Sequence, residues 1–255
     1  MRNHILILGG TTEARLLGQR LAACAEISVT LSMAGRTASP AAQSVPVRRG
    51  GFGGTAGLVR YLQDQDVVAL IDATHPYAPT ISAHALSAAV LLHMPILALR
   101  RPAWTAIDGD RWIEVEGAKG AVRSLGPEPR NVFLALGRQE IAAFASAPQH
   151  HYLIRSVDPV EPRLPVPHAL YIQERGPFDE QAELALLRSH AIDVVVAKNS
   201  GAQATYGKIA AARTLGIPVM LLRRPPDAAM PAVATVDEAM AWLDHVLGTG
   251  CDRGV

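Results

Sequence analysis

Three short stretches carry side chains whose types and spacing suit chemistry. Gly9-Gly10-Thr11-Thr12-Glu13-Ala14 follows an Ile/Leu run and leads into a segment of helical periodicity. Small residues, two hydroxyls and the unbonded N–H groups of a helix start meet there, a combination suited to phosphate. Against the spacing G-x-G-x-x-G/A, the stretch keeps the first glycine and the final small residue but has Thr11 where the middle glycine belongs. It also reads as a strand-to-helix turn whose glycines serve only geometry. The second stretch, Ser32 to Thr37, ends the next apolar run without the Asp or Glu that would accept bonds from an NAD ribose. Arg36, with Ser32 and Thr37, suits a 2′-phosphate and favours NADP(H), although a single arginine is usually just solvated. The third stretch closes a buried run with Asp72, Thr74, His75 and Tyr77, beside Pro76, a residue able to open a helix. In a doubly wound sheet this strand end faces the nicotinamide, and that position is the credential of His75. Between them, four glycines surround Phe52 in RRGGFGGTAG; Gly53 and Gly54 allow either close approach to a flat ligand or a flexible turn.

Positioning these residues requires strands and helices in alternation, and the chain supplies them. Apolar runs at 4–10, 27–33, 44–50, 67–73 and 94–100 alternate with helical stretches near 12–23, 55–63 and 77–92. A Pro/Gly-rich passage at 124–131 follows. The pattern then restarts with VFLALGRQEIAAFA, YLIRSV, ALYIQERG, IDVVVAKNSG and IPVMLLRRPP, and with helices near 179–190, 203–215 and 236–247. The expectation is an α/β protein of two Rossmann-like parallel-sheet halves, residues 1–126 and 127–255, with a ligand cleft between them at the carboxyl ends of the strands.

Composition narrows the partners. With a formal net charge of +1 and 5% aromatic residues, the chain lacks the basic excess and stacking platforms of a nucleic-acid binder. Cys24 and Cys251 form no metal-binding or disulfide pattern, so no metal is expected. No apolar run reaches bilayer length, and the chain opens on a strand rather than a leader, which points to the cytoplasm and away from membranes. Oligomeric state is not legible.

Taken together, GGTTEAR (9–15), SMAGR (32–36), GGFGG (50–54), DATHPYA (72–78), RRPAW (100–104), LGRQE (136–140), RGPF (175–178) and KNSG (198–201) resemble the precorrin-6A reductase (precorrin-6x reductase) family, across nearly the whole chain. The order and spacing of DATHPYA, RPAW and KNSG are the specific part. One departure is Ala202, where the family pattern leads us to expect a second glycine.

The resemblance implies an NADPH-dependent oxidoreductase of cobalamin biosynthesis that delivers hydride to a conjugated tetrapyrrole and converts precorrin-6A to precorrin-6B. Gly9, Gly10, Thr11, Thr12, Glu13, Ala14, Ser32, Arg36, Thr37, Gly53, Gly54 and Thr74 would then bind NADPH, the first half being the cofactor domain. His75, then Tyr77, would be the catalytic candidates for supplying a proton. A macrocycle rimmed with acetates and propionates calls for cations on well-spaced loops. The second half offers Arg138, Arg155, Arg175, Lys198, Lys208, Arg223 and Arg224 at strand ends or helix starts, together with the Asn199-Ser200-Gly201 turn. Two other readings stay open, a reductase or epimerase of a smaller acid and a non-catalytic nucleotide sensor. Metal-free and cobalt-bearing substrates are not distinguished.

Overall fold

The computed structural model describes residues 2–35 and 42–248. In chain order the elements are β1 (Asn3–Leu8), α1 (Thr12–Leu21), β2 (Ile27–Met33), β3 (Val47–Arg49), α2 (Gly54–Asp64), β4 (Val67–Asp72), α3 (Pro79–Leu92) and β5 (Ile96–Leu99). They continue with β6 (Trp112–Val115), α4 (Gly117–Leu125), β7 (Asn131–Ala135), α5 (Arg138–Ile141), β8 (His151–Ser156), β9 (Ala169–Gln173), α6 (Glu180–Ser189) and β10 (Val194–Lys198). The last are α7 (Gly207–Leu215), β11 (Val219–Leu222), β12 (Ala232–Val233) and α8 (Val236–Leu247). Pro79, not Pro76, takes the first helical position of α3.

The chain separates into two compact units, residues 1–102 with 225–255, and residues 103–224. This corrects the expected division at 126. The four-residue strand β6 lies before the Pro/Gly-rich passage yet pairs with β11, while β12 and α8, at the far end of the chain, return to the first unit. Neither exchange has a local signal, because both depend on which edge has an unpaired strand rather than on composition at the join.

In the first unit six parallel strands run in the order β12-β5-β4-β1-β2-β3. The order reverses between β1 and β4, which makes the carboxyl ends of those two strands the place where ligands bind in such sheets. Alternation along β1 explains the layers: Ile5 and Ile7 enter the core formed with α1 and α8, and Leu6 and Leu8 the core formed with α2 and α3. The second unit repeats the pattern as β6-β11-β10-β7-β8-β9, again parallel, with its reversal between β7 and β10. Phe133, Leu153, Val195 and Leu221 cover one face of it with α6 and α7.

Helix starts follow from their first residues. Thr235 and Glu238 form a reciprocal capping box on α8, and the Asp179 carboxylate accepts from the N–H groups of Gln181 and Ala182 at the start of α6. No described helix is long and apolar enough to cross a membrane.

Candidate active site

At the carboxyl edge of the first sheet, β1 runs directly into the Gly9–Ala14 turn. Thr11 is the N-cap of α1: its hydroxyl accepts from the Ala14 N–H at 3.1 Å and donates to the Ala73 carbonyl at 2.8 Å. One side chain thus closes the helix start and ties the end of β1 to the end of β4. The Gly9 N–H donates to the Ser32 carbonyl at 2.8 Å, joining the turn to β2 as well. Gly10 has φ +121 and open space where a Cβ would stand, so the backbone itself forms the surface there. Thr12 is exposed, and Glu13 is engaged by Arg101. The N–H groups that precede the capped one in α1 are those that no intrahelical carbonyl reaches, so the turn fits a diphosphate.

Ser32 is buried at the end of β2, and no carboxylate stands among the described residues that follow it, 33–35. Arg36 and Thr37 lie outside the described residues. Gly53 (φ +80) caps α2 without any side-chain bond and Gly54 (φ +81) begins it, giving a second helix start with unbonded N–H groups on the same edge. Gly57 is required for a different reason, since a Cβ there would stand 1.6 Å from the Phe52 carbonyl oxygen.

The end of β4 is held by a buried polar cluster. Asp72, fully buried, accepts from the Thr74 N–H (3.1 Å) and hydroxyl (2.6 Å) and pairs with Arg100 at 2.6 Å. Arg100 also donates to Ser82 at 2.7 Å and reaches Asp227 at 3.3 Å. Thr74 is therefore turned inward: its buried hydroxyl serves Asp72 rather than projecting from the edge, because an internal carboxylate needs its donors. The cluster fixes the backbone that carries His75. That ring is half-buried, 5.6 Å from the Tyr77 ring, and its Nδ1 accepts from the Tyr77 N–H at 3.3 Å. With Nδ1 accepting, the neutral ring carries its proton on Nε2 and can donate a hydrogen bond from that atom.

The second sheet collects most of the predicted cations at its carboxyl edge but uses several of them internally. Arg138 begins α5 and Arg175 follows β9, and both are exposed. Lys198 ends β10 and pairs with Glu140, and Arg223, after β11, pairs on the surface with Glu114 (3.4 Å) and Glu116 (3.1 Å). Arg224 donates to the Asn199 carbonyl at 2.7 Å. Arg155 departs from expectation: it is buried, forms a two-pronged ion pair with Glu183, and packs 3.7 Å over the Phe178 ring. Burial forces it to find a carboxylate inside the unit. Lys208 is likewise buried, its ammonium donating to the Thr205 carbonyl and lying 5.5 Å from the Trp104 ring. Asn199 binds backbone on both sides, accepting from the Trp104 N–H at 2.8 Å and donating to the Trp104 carbonyl at 2.9 Å. Ser200 bonds the Thr205 hydroxyl at 3.1 Å, and the adjoining Gly201 has φ +70. Ala202 has ordinary extended torsions (φ −82, ψ 127), so no glycine is needed there.

Burial, with Arg155 nearby, pushes the Lys208 ammonium down to about 7, Glu183 partly offsetting them. The folded chain releases this proton before the unfolded chain does, so stability rises with pH from about 7 to the ordinary lysine range. Between pH 7 and 9 denaturant unfolding of the wild type should gain about 2 kcal/mol relative to Lys208→Met. Parallel pH dependence in the two proteins would reject the assignment.

Sequence reasoning passed over Arg48 and Arg100. Arg48 stands directly across from Ser32 in the β2–β3 register, and its position at a strand end could have revealed it. Arg100 gains its importance from Asp72, 28 residues away, which no local pattern discloses. Among the described residues, no cluster of three or more His, Cys, Asp or Glu side chains is arranged to hold a metal ion.

Comparison with known proteins agrees with this architecture. Residues 4–244 match the family described as Precorrin-6x reductase CbiJ/CobK. A precorrin-6A reductase of a Sinorhizobium species is 53% identical over 96% of this chain and 94% of its own length. One from Rhodobacter capsulatus is 48% identical over 95% and 96%, respectively. A solved structure titled CobK precorrin-6A reductase superposes with a TM-score of 0.91 at 47% identity, covering 96% of this chain and 97% of that one.

Proposed function

Since this chain belongs to the precorrin-6x reductase family, matched over residues 4–244, we propose that it reduces precorrin-6A to precorrin-6B in cobalamin biosynthesis, in the cytoplasm, with NADPH as the hydride donor. The observation that carries the cofactor assignment is the first sheet's edge: an order reversal between β1 and β4, a glycine turn opening α1 there, and a β2 end without a carboxylate. When bound, the dihydronicotinamide supplies hydride to an electrophilic carbon of the conjugated ring, and a proton adds elsewhere in the π-system.

The residues of the chain bind, orient and supply the proton. The Gly9–Ala14 turn and the start of α2 hold phosphates through backbone N–H groups. Thr11 and Asp72 keep the ends of β1 and β4 in fixed relation, the first through Ala73 and the second through Thr74 and Arg100. His75 supplies the proton as the imidazolium: once Nδ1 takes up a proton in place of its bond from the Tyr77 N–H, the ring gives its Nε2 proton to the macrocycle and is left neutral. In the second unit Arg138, Arg175, Lys198 and Arg223 take carboxylates of the tetrapyrrole, while Arg155, Lys208 and Asn199 hold the loops from which those cations project.

Purified protein mixed with NADPH and metal-free precorrin-6A should show stoichiometric loss of nicotinamide absorbance together with a change in the macrocycle spectrum. NADH should serve poorly, and Arg36→Ala should weaken the reaction with NADPH. Binding of NADPH without change in either spectrum, repeated with the cobalt complex, would overturn the reductase reading.

A further inference from the structure

The β1–β2–β3 register places Leu8, Ser32 and Arg48 in one row across the carboxyl edge of the first sheet. Adjacent strands are about 5 Å apart, so Arg48 stands roughly 10 Å from the Gly9 turn. In a sheet of this order the second strand's end faces the adenosine ribose, and the diphosphate lies at the first turn. Arg48 thus sits one strand beyond the ribose position, on the side away from the diphosphate.

Its guanidinium is held rather than solvated. Nη1 donates to the Gly50 carbonyl at 2.6 Å and approaches the Ser32 hydroxyl at 3.5 Å, and Nη2 donates to the Gly51 carbonyl at 2.7 Å. The Phe52 ring lies 3.8 Å from the guanidinium carbon and the Tyr61 ring 5.1 Å, the two rings packed edge to face. These contacts use three of its five N–H groups, leaving Nε–H and one Nη2–H for another acceptor. Arg48 also forms no ion pair with any described carboxylate, whereas Arg100, Arg101, Arg155, Arg213 and Arg223 each do. A half-buried guanidinium fixed by carbonyls and aromatic faces, its charge not neutralised by any carboxylate among the described residues, is preorganised for an anion.

We propose that Arg48, with the Ser32 hydroxyl beside it, reads the 2′-phosphate of the cofactor and is, in addition to Arg36, a residue that selects NADPH over NADH. The proposal rests on the cofactor reading above and deepens it. It also gives the four-glycine loop around Phe52 a purpose: the carbonyls of Gly50 and Gly51 aim the guanidinium, and the ring below it keeps it flat.

The test measures calorimetric affinity for adenosine 2′,5′-bisphosphate and for 5′-AMP, which differ by the 2′-phosphate, alongside KM for NADPH and NADH. Wild type should bind the bisphosphate at least tenfold tighter. Arg48→Ala should weaken that binding about 10- to 100-fold, with 5′-AMP affinity and the KM for NADH held within about twofold. Arg48→Gln, which keeps a donor for the loop carbonyls, should show the same selective loss with an unchanged melting temperature, and Arg48→Lys should recover part of the binding. Equal weakening of both nucleotides in Arg48→Gln would assign Arg48 to loop support and overturn the proposal, as would full bisphosphate affinity in any Arg48 variant. A wild type that does not distinguish the two nucleotides would instead refute the NADPH reading itself.

Discussion

His75→Ala should lower the turnover number by about 100-fold while the dissociation constant for NADPH stays within about twofold. The size follows from what a positioned proton donor contributes, and the selectivity follows from geometry. His75 lies past the end of β4, separated from it by Ala73 and Thr74, and the phosphate positions proposed at the first two helix starts do not involve it. The Tyr77 N–H bonds Nδ1 of the neutral ring, so Nε2 is the nitrogen assigned to the substrate, and the imidazolium is the form that gives up the proton. His75→Gln, whose amide can donate a hydrogen bond but gives up no proton at neutral pH, should resemble Ala in turnover. Single-turnover kinetics, following nicotinamide oxidation and the macrocycle spectrum together, separates a slowed chemical step from slowed product release. An unchanged single-turnover rate in His75→Ala would remove the histidine from the mechanism and turn attention to Tyr77.

Arg100→Met should cost about 3–5 kcal/mol of folding stability, a large part of what a domain of this kind possesses. The variant strands the Asp72 carboxylate, fully buried, with only the Thr74 donors to hold its charge. Ser82 loses its guanidinium donor at the same time. Because the penalty comes from an uncompensated charge rather than a lost contact, neutralising the partner should relieve it: Asp72→Asn with Arg100→Met is expected to recover most of the loss in urea unfolding. A single variant within about 1 kcal/mol of wild type, or a double variant worse than the single, would show that the pair does not carry this load. The recovered double variant then asks a functional question. The cluster sets the backbone just before His75, so a stable protein with reduced turnover would show that the same bonds hold the fold and aim the ring.

Much of this protein is legible in one dimension because its strongest signals are local. Buried parallel strands demand unbroken apolar runs, and helices that cover them demand a 3.6-residue period, so β1, β2, β4, β10 and the helices α1, α6 and α8 announce themselves. Thr11 and Asp179 mark helix starts because their hydroxyl and carboxylate bond N–H groups only two or three residues away. The order of GGTTEAR, DATHPYA and KNSG along the chain was enough to bring the family into view. What the tertiary structure alone decided depends on pairs distant in sequence. Residue 126 marks a composition break, but the units divide near 102 and 224, since a sheet edge accepts whichever strand reaches it, β6 in one case and β12 in the other. Arg155 and Lys208 have the composition of surface cations, and only the packing of α6 and α7 over the second sheet buries them, beside Glu183 in the case of Arg155 and under the Thr205 carbonyl in that of Lys208. Asn199 becomes a clamp on Trp104 across 95 positions, and Arg48 gains its place beside Ser32 only through a strand register. A side chain's type is written in the sequence, but its charge partner and its burial are set by neighbours that the fold brings together, and those neighbours decide whether a cation supports the protein or meets a ligand.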